Sequence, residues 1–372
     1  MSEPLFNLAP TLHLLITGAL VAMVPLCWVW LRNPRASTVQ RVRRLTLVTL
    51  FLTFDLVLFG AFTRLTDSGL GCPDWPGCYG QASPVGAQAA IDQAQSQMPT
   101  GPVTHTKAWI EMIHRYMAMA VGGLILTLSL FAWVRRWRGE VKVGVMWPTF
   151  TLVWVCVQGA FGALTVTMKL FPLIVSMHLL GGLMLLALLI RQAQAQRAED
   201  VAAVLTIPPG LRRLAQWGLL VLLVQVGLGA WVSTNYAVLA CNTFPQCQGS
   251  WWPLMDFAQG FGLWRPLGLN TLGEPIHFEA LTAIHYTHRL AAYAVFAYLG
   301  ALAWQLYSTP ALVSYGFWLA GLLLLQLLTG LSNVVLDWPL VAAVMHTGGA
   351  AALLMVLVGL LANTRTPRTH ID

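Results

Sequence analysis

Nine apolar segments, each bounded by polar or turn-forming residues, follow one another along the chain. They cover residues 12–31, 45–63, 108–134, 145–167, 173–191, 213–233, 280–307, 312–335 and 339–362. A helix of ~20 residues crosses the hydrocarbon core of a bilayer, so each segment is long enough to span it. The first segment is too long for the apolar region of a signal peptide, and no basic residue precedes it. The pattern therefore predicts an all-α integral membrane protein with nine transmembrane helices.

Composition and charge agree with this class. Of the 372 residues, 57% are hydrophobic and 9% are charged, whereas a soluble domain carries about 25% charged residues. The net charge of +7 does not indicate a nucleic-acid partner, because the basic residues lie in short connections between apolar segments. Most of them occur in alternate connections and in the tail: Arg32, Arg35, Arg41, Arg43, Arg44, Arg135, Arg136, Arg138, Lys142, Arg191, Arg197, Arg212, Arg213, Arg365 and Arg368. The positive-inside rule puts these in the cytoplasm with the C-terminus, and puts the N-terminus and the loops 64–107 and 234–279 outside.

The chain contains an internal repeat. Four landmarks recur 169, 169, 174 and 168 positions apart, namely Cys72 with Cys241, Cys78 with Cys247, His114 with His288, and His178 with His346. A nearly constant separation over four landmarks indicates that a unit of four helices occurs twice. An even number of helices gives both copies the same orientation, so we expect a pseudo-two-fold axis along the membrane normal.

The repeat predicts the organisation of the whole chain. Two tandem four-helix bundles occupy residues 45–191 and 213–362. An extra N-terminal helix and its basic loop occupy residues 1–44. A cytoplasmic linker follows the first bundle at 192–212, and a cytoplasmic tail closes the chain at 363–372.

Four histidines lie at one predicted depth, two in each bundle. His114 and His178 belong to the first bundle, and His288 and His346 to the second. At a rise of ~1.5 Å per residue, each lies roughly 9 Å inside the outer interface. Two imidazoles inside a helical bundle favour ligation of a haem iron, whereas zinc and non-haem iron sites usually add carboxylate or thiolate ligands. The alternative is a packing histidine with a satisfied hydrogen bond.

Each bundle has a His-Arg pair with a polar residue one helical turn before it. In Glu111-Met-Ile-His114-Arg115 the carboxylate and the imidazole share one helix face. In the second copy His285 stands in place of the glutamate. Only the first copy therefore has a carboxylate beside its predicted haem. Because a carboxylate in an apolar setting can exchange protons, Glu111 is the candidate catalytic residue.

Four further polar positions have more than one interpretation or an open role. Arg115 and Arg289 can bind haem propionates, since arginine pairs with carboxylates bidentately, or can extend to the membrane interface. His285 can tune the second haem or simply form a hydrogen bond. Asp55 lies in the middle of its segment with no acidic counterpart in the second copy, and its role stays open.

A family resemblance emerges from three stretches of sequence. The stretch Gly60-Ala-Phe-Thr-Arg-Leu-Thr-Asp-Ser-Gly-Leu-Gly-Cys-Pro-Asp-Trp-Pro-Gly-Cys-Tyr-Gly80, the Glu111-x-x-His114-Arg115 motif and the second His-Arg pair together resemble the haem A synthase family. The resemblance covers about 45–362. The first helix is a departure from the usual eight-helix plan of that family.

This resemblance implies a function and a set of site residues. It implies an oxidoreductase that oxidises the C8 methyl of haem O, in successive steps, to the formyl group of haem A for cytochrome c oxidase. It implies that His288 and His346 hold a permanent haem b, through which electrons leave. It also implies that His114 and His178 bind the substrate haem, and that Glu111 takes part in catalysis.

The resemblance further implies disulfides Cys72–Cys78 and Cys241–Cys247 and a location in the bacterial inner membrane. Haem O is the implied substrate, and haem O synthase, assembly factors of cytochrome c oxidase and a second copy of the chain are candidate partners. Two other functions stay open: a di-haem b-type membrane electron carrier and a haem-handling assembly factor. The carboxylate in one copy alone favours the enzyme, because a plain electron carrier has no evident need for it.

Overall fold

The computed structural model describes residues 9–140, 144–197 and 205–366. Nine long helices in this part of the chain are apolar enough to cross a membrane. They are α1 (Ala9–Arg32), α2 (Thr38–Leu65), α4 (His105–Trp137), α5 (Met146–Thr167), α6 (Pro172–Arg197), α7 (Pro209–Thr234), α9 (Phe278–Tyr307), α10 (Val313–Val335) and α11 (Leu340–Asn363). Each contains or nearly matches one predicted segment, so the all-α membrane class and the nine spans are confirmed for the described residues.

The remaining elements are short. Helices α3 (Gln88–Gln97) and α8 (Phe257–Gly260) lie in the two long loops that the sequence places outside. Strands β1 (Leu205–Thr206) and β2 (Thr364–Arg365) form a parallel pair that the hydrophobic pattern did not predict. Their length explains the omission, because two residues are too few to show the alternation typical of a strand.

Local sequence signals fix several helix ends. The Ser37 hydroxyl accepts a hydrogen bond from the Gln40 amide, and the Gln40 side chain accepts one from the Ser37 N–H, so a capping box begins α2. The Thr104 hydroxyl accepts from the Lys107 N–H at the start of α4. Gly139, just beyond α4, has a φ of +88°, which a residue with a side chain rarely adopts.

Residues up to Leu170 form a first compact unit. Helix α4 is its centre, since α1, α2, α3 and α5 all pack against it. Side chains from α1, α2 and α4 form a common core cluster, in which Val29, Leu45 and Leu124 are almost fully buried. The helix that carries Glu111 and His114 is therefore held on several sides by its own unit.

Residues from Phe171 form a second compact unit. Helices α7, α9, α10 and α11 pack in a closed ring, with α7 against α9, α9 against α10, α10 against α11 and α11 against α7. Helix α6 packs on the outside of this ring, against α7 and α11. The ring brings together the two helices that carry His288 and His346.

The compact units and the sequence repeat divide the chain at different points. The units divide before α6, whereas the repeat ends its first copy at residue 191, at the far end of α6. The domain boundaries taken from the repeat stay a prediction. Two of the basic residues used for the predicted orientation, Lys142 and Arg368, lie outside the described residues.

Arg212 connects the start of α7 with the end of α11. It lies in the first turn of α7 and donates to the carbonyl oxygens of Leu361 and Thr364 and to the Thr364 hydroxyl, the last at 3.0 Å. The final carbonyls of a helix have no partner within the helix, so a guanidinium can satisfy them at the end of α11. Thr364 also begins β2, opposite Leu205 of β1.

Replacing Arg212 by alanine should destabilise this end of the second unit. The Arg212→Ala variant should lose about 1–3 kcal/mol, because hydrogen bonds from a charged group to partly buried carbonyls disappear. The measurement is the thermal midpoint of the purified protein in detergent. Arg213→Ala is the control, since Arg213 is exposed, and it should change stability by less than about 0.5 kcal/mol. Equal midpoints for the two variants would contradict the role of Arg212.

Candidate functional site

His288 and His346 come together within the second unit. His288 lies on α9 and His346 on α11, and their imidazoles lie near each other. Both helices belong to the closed ring, so the two side chains are positioned by the same four-helix packing. Two neighbouring imidazoles are the donor set that a bis-histidine haem requires.

Each of these imidazoles has a hydrogen-bond partner at Nδ1. The Thr329 hydroxyl lies 3.0 Å from His346 Nδ1. Because this hydroxyl donates its own hydrogen to the Leu325 carbonyl, it can accept a hydrogen bond from the Nδ1–H. The Gln225 amide nitrogen lies 3.1 Å from His288 Nδ1. In His346 the Nδ1–H is directed to Thr329, so Nε2 is the nitrogen available to a metal. In His288 the Gln225 amide donates to Nδ1, and this contact holds the ring in place. Such a contact behind a ligand fixes the orientation of the ring.

Two glutamines also brace the helices at the same level. Gln225 of α7 donates to the His288 carbonyl at 3.1 Å, and Gln326 of α10 donates to the His346 carbonyl at 2.9 Å. Each helix that carries one of these histidines is thus tied to a neighbouring helix at the histidine itself. Both the rings and the backbone that carries them are fixed, and this arrangement fits a permanently bound haem.

Glycines face three of the four histidines. A Cβ atom on Gly229 would lie 2.9 Å from His288 Cε1, and one on Gly330 would lie 3.2 Å from His346 Cε1. In the first unit, a Cβ atom on Gly60 would lie 3.1 Å from His114 Cε1. These distances are shorter than ordinary van der Waals contacts. A glycine at each place lets the imidazole lie against the backbone of the neighbouring helix.

The first pair of predicted ligands is divided between the units. His114 lies on α4 in the first unit, where its ring stacks on Phe59 with a centroid distance of 6.2 Å and an interplanar angle of 8°. His178 lies on α6 in the second unit, and its buried Nδ1 has no hydrogen-bond partner among the described residues. Their pairing on one haem stays a prediction from the sequence.

The repeat explains why His178 differs from His346. At the offset of 168 that relates these histidines, Thr329 corresponds to Phe161. At the offset of 169 that relates Gly229 to Gly60, Gln225 corresponds to Leu56. The side chains that engage Nδ1 in the second copy are therefore replaced by apolar ones in the first.

Glu111 is buried and bound on both carboxylate oxygens. Its side chain is 4% exposed, and its Oε2 accepts a 2.8 Å hydrogen bond from the Cys72 N–H. Its Oε1 pairs with the Arg115 guanidinium one turn further along α4. Cys72 is bonded to Cys78, so the carboxylate is attached directly to the disulfide-bonded outer loop. Outer loop 1 here means residues 71–80.

The two arginines of the His-Arg pairs hold the outer loops in the same way. Arg115 donates to the carbonyl oxygens of Asp74, Pro76 and Gly77 in outer loop 1. Arg289 donates to carbonyl oxygens of the second loop, which contains the Cys241–Cys247 disulfide: those of Cys241, Thr243 and Gln246. Their binding to propionates stays a prediction, and the structure adds a clamp on each loop.

His285 also contacts its loop. Its Nδ1 lies 3.0 Å from the Ala237 carbonyl oxygen, and its side chain is 6% exposed. Of the two interpretations left open by the sequence, the hydrogen bond is present. His285 and Glu111 thus occupy equivalent positions in the two copies. The His285 imidazole contacts a carbonyl oxygen of its loop, and the Glu111 carboxylate accepts from an amide N–H of its loop. Asp55 is half-buried on α2, with no ion pair among the described residues.

Sequence reasoning missed the residues that support the histidines. Gln225, Gln326 and Thr329 are polar residues inside apolar helices, which was an available signal, because membrane helices rarely contain unpaired polar side chains. Gly60 and Gly229 occupy equivalent places in the two copies, 169 positions apart. Their contact with the histidines depends on helix packing and has no signal in the local pattern.

Comparisons with known proteins agree with these observations. Residues 43–358 match the family described as cytochrome oxidase assembly protein. The chain is 40% identical over 311 residues to the heme A synthase of Shewanella oneidensis, covering 84% of this chain and 93% of that protein. It is 29% identical over 337 residues to the heme A synthase of Bradyrhizobium sp. (strain ORS 278), covering 84% and 88% respectively. It is also 32% identical over 260 residues to the heme A synthase of Chelativorans sp., covering 65% and 67%.

The glycine opposite His288 should be necessary for haem retention. In Gly229→Ala the new methyl group would lie 2.9 Å from His288 Cε1, so the imidazole must move. If His288 is a haem ligand, as the sequence predicts, the haem absorbance per protein of the purified variant should fall to less than about half, because the imidazole leaves its supported orientation.

Gly227→Ala is a matched control for this substitution. Gly227 lies two residues earlier on α7, and a Cβ atom there would meet no atom within 4 Å. The control should keep the absorbance of the parent protein. If both variants retain the same haem b absorbance, the contact between Gly229 and His288 has no part in haem binding.

Proposed function

The chain belongs to the cytochrome oxidase assembly protein family, and from this membership we propose that it converts haem O to haem A. The reaction is the oxidation of the C8 methyl group to a formyl group. The heme A synthase name of its relatives and their extensive coverage support this activity. The observation that carries the proposal is the buried carboxylate of Glu111, one turn from His114 in the first copy, where the second copy has His285.

We propose that His288 and His346 hold a haem b in the second bundle. Their proximity and the engagement of both Nδ1 atoms support this assignment. When bound, a bis-histidine haem supplies one-electron transfer, here the exit of electrons from the reaction. The contacts of Gln225 and Thr329 hold the two rings in place, so ligation does not require the rings to be ordered again.

We propose that His114 and His178 bind the substrate haem O. A substrate must enter and leave, so its ligands should be less constrained than those of a permanent cofactor. The Nδ1 of His178, without a hydrogen-bond partner among the described residues, supports this difference. Apolar residues at Phe161 and Leu56, where the second copy has hydrogen-bonding side chains, support it further.

Glu111 is the proposed catalytic residue. Oxidation of a methyl group to a formyl group releases protons in successive steps, and a carboxylate near the methyl can accept them. Its negative charge can also stabilise positive charge that develops on the substrate. Arg115 and the Cys72 N–H hold the two carboxylate oxygens, so the group is oriented before the substrate binds.

The arrangement in the membrane follows the sequence repeat. We propose two tandem bundles related by a pseudo-two-fold axis, in the cytoplasmic membrane of a bacterium, with the N-terminus outside and the C-terminus in the cytoplasm. The distribution of arginine and lysine supports this orientation. The disulfides in both long loops support it too, because an oxidising compartment favours them.

Pigment analysis tests the activity. The chain is produced together with a haem O synthase, and the extracted haems are separated by chromatography. The parent protein should yield haem A, and Glu111→Gln should yield at least about 100-fold less, because it keeps the shape of the side chain but cannot accept protons. The variant should still retain bound haem.

Glu140→Gln is the control for removing a carboxylate outside the site. Glu140 is an exposed carboxylate that pairs with Arg135 near the far end of α4. It should leave the yield of haem A unchanged. Haem loading by the parent protein without any haem A or hydroxylated intermediate would instead identify an electron carrier or an assembly factor. Equal yields from Glu111→Gln and the parent would remove Glu111 from catalysis.

His346→Ala tests the haem b assignment. The variant should lose the absorbance of haem b almost completely, because an axial ligand on α11 is removed. The measurement is a reduced-minus-oxidised spectrum of the purified protein. His277→Ala, which changes an exposed loop histidine, should retain the absorbance. Undiminished haem b in His346→Ala would contradict the assignment of the second bundle.

A further inference from the structure

Helix α1 lies outside both the repeat and the family match. The family match begins at residue 43, and α1 ends at Arg32. The helix nevertheless packs against α4 along its length, and more lightly against α2. Its position is therefore defined by contacts, and the helix it contacts carries Glu111 and His114.

The closest approach of α1 to α4 depends on a glycine. A Cβ atom on Gly18 would lie 2.6 Å from Met119 Cβ and 3.1 Å from the Met119 carbonyl carbon. Ala22, one turn further along, lies near Gly123, where an added Cβ would be 3.5 Å away. Small residues four positions apart let two membrane helices approach closely. A larger side chain at Gly18 would force the helices apart.

The outer part of α1 reaches outer loop 1. Leu14 is 3% exposed and belongs to the core cluster that contains Cys72, Cys78 and Met112, all three fully buried. Pro10 lies over Gly77, where an added Cβ would be 3.2 Å from Pro10 Cβ. The disulfide is thus enclosed between α1 on one side and α4 on the other.

The same loop holds the proposed catalytic group. The Gly77 carbonyl accepts from Arg115, and the Cys72 N–H donates to Glu111. Pro10 and Leu14 therefore contact the loop at or beside the residues through which it holds this pair of charges. If the loop opened, these hydrogen bonds would break and the Cys72–Cys78 disulfide would become exposed to solvent.

The second disulfide is covered differently. Cys241 and Cys247 are buried with Tyr286 of α9 and with Met255 from their own loop. The Tyr286 hydroxyl donates to the Trp251 carbonyl at 2.7 Å and so fastens the loop from within. This disulfide serves as an internal reference, since its cover does not involve α1.

We propose that α1 is a fixed cover of outer loop 1, which shields the Cys72–Cys78 disulfide from reductants and keeps the loop closed on Arg115 and Glu111. Gly18 and Leu14 are its positioning residues: Gly18 sets the distance between α1 and α4, and Leu14 fills the space over the disulfide. The inference about shielding stands apart from the proposed activity, whereas its meaning for Glu111 rests on that proposal.

The test compares the reduction rates of the two disulfides in one molecule. The full-length protein is placed in lipid nanodiscs, and the free thiols of Cys27 and Cys156 are blocked with a maleimide. A membrane-impermeant phosphine is then added for increasing times, and newly formed thiols are labelled with a second maleimide. Mass spectrometry of peptides measures labelling at Cys72 and Cys241 separately.

Gly18→Leu should raise the reduction rate of Cys72–Cys78 by at least about tenfold, because local opening of the cover becomes easier. The rate for Cys241–Cys247 should stay at the parental value. Gly159→Leu is the control for the same change on an exposed helix face, since a Cβ atom there would meet no atom within 4 Å. The control should change neither rate.

Leu14→Ala separates shielding from general destabilisation. It leaves Gly18 in place and removes only the side chain over the disulfide, so it should raise the rate for Cys72–Cys78 by roughly threefold through local opening alone. The proposal is overturned if the phosphine reduces Cys72–Cys78 at the parental rate both in this variant and in Gly18→Leu. It is also overturned if both variants accelerate the two disulfides equally. The test does not measure haem A. The reduction rates therefore test the proposal even if the chain does not make haem A.

Discussion

Polar groups inside a hydrocarbon layer must find their partners within the protein, and the structure depends on this constraint. An unsatisfied polar group in an apolar environment costs several kcal/mol, on the order of 2–7 by transfer measurements. Thr46, Thr49 and Thr53 on α2 meet the constraint locally, since each hydroxyl donates to the carbonyl four residues earlier. The larger polar groups cannot do so. Their partners come from other helices and from the outer loops, and those partners define the site.

The sequence predicts the helices well because their signal is local. A run of apolar residues of sufficient length is enough, and it identified all nine long helices in the described part of the chain. The contacts of Arg115 and Arg289 could not be predicted in this way, because their carbonyl partners lie 38 to 48 positions away along the chain. Their direction depends on how each loop folds over its helix, and periodicity contains no information on that fold.

The sequence predicted the reactive residue types of the site, but not the residues that contact and position the histidines. Imidazoles, a carboxylate and paired cysteines are visible as residue types, and the repeat shows which of them are shared. The Gln225 and Thr329 contacts require two helices to be in register, and the Gly229 contact requires the exact distance between them. The Gly18 and Ala22 spacing on α1 was present in the sequence, but a spacing of small residues does not say which helix they face.

The second copy shows what Glu111 is not needed for. Arg289 is 7% exposed and makes its hydrogen bonds to loop carbonyls, with no carboxylate at ion-pair distance among the described residues. An arginine can therefore hold an outer loop in this fold without an acidic partner. His285 holds its loop through its imidazole at the position equivalent to Glu111.

A carboxylate is consequently not required by the loop clamp, and burying one has a cost. Removing a single partner of a buried ion pair typically costs about 3–5 kcal/mol, because the remaining charge is uncompensated. Removing Glu111 should cost less than this, because the Arg115 guanidinium still donates to three carbonyl oxygens. The clamp and the carboxylate are thus separable. A charge that the architecture does not need, held at both oxygens beside a predicted haem ligand, fits the catalytic role proposed for Glu111.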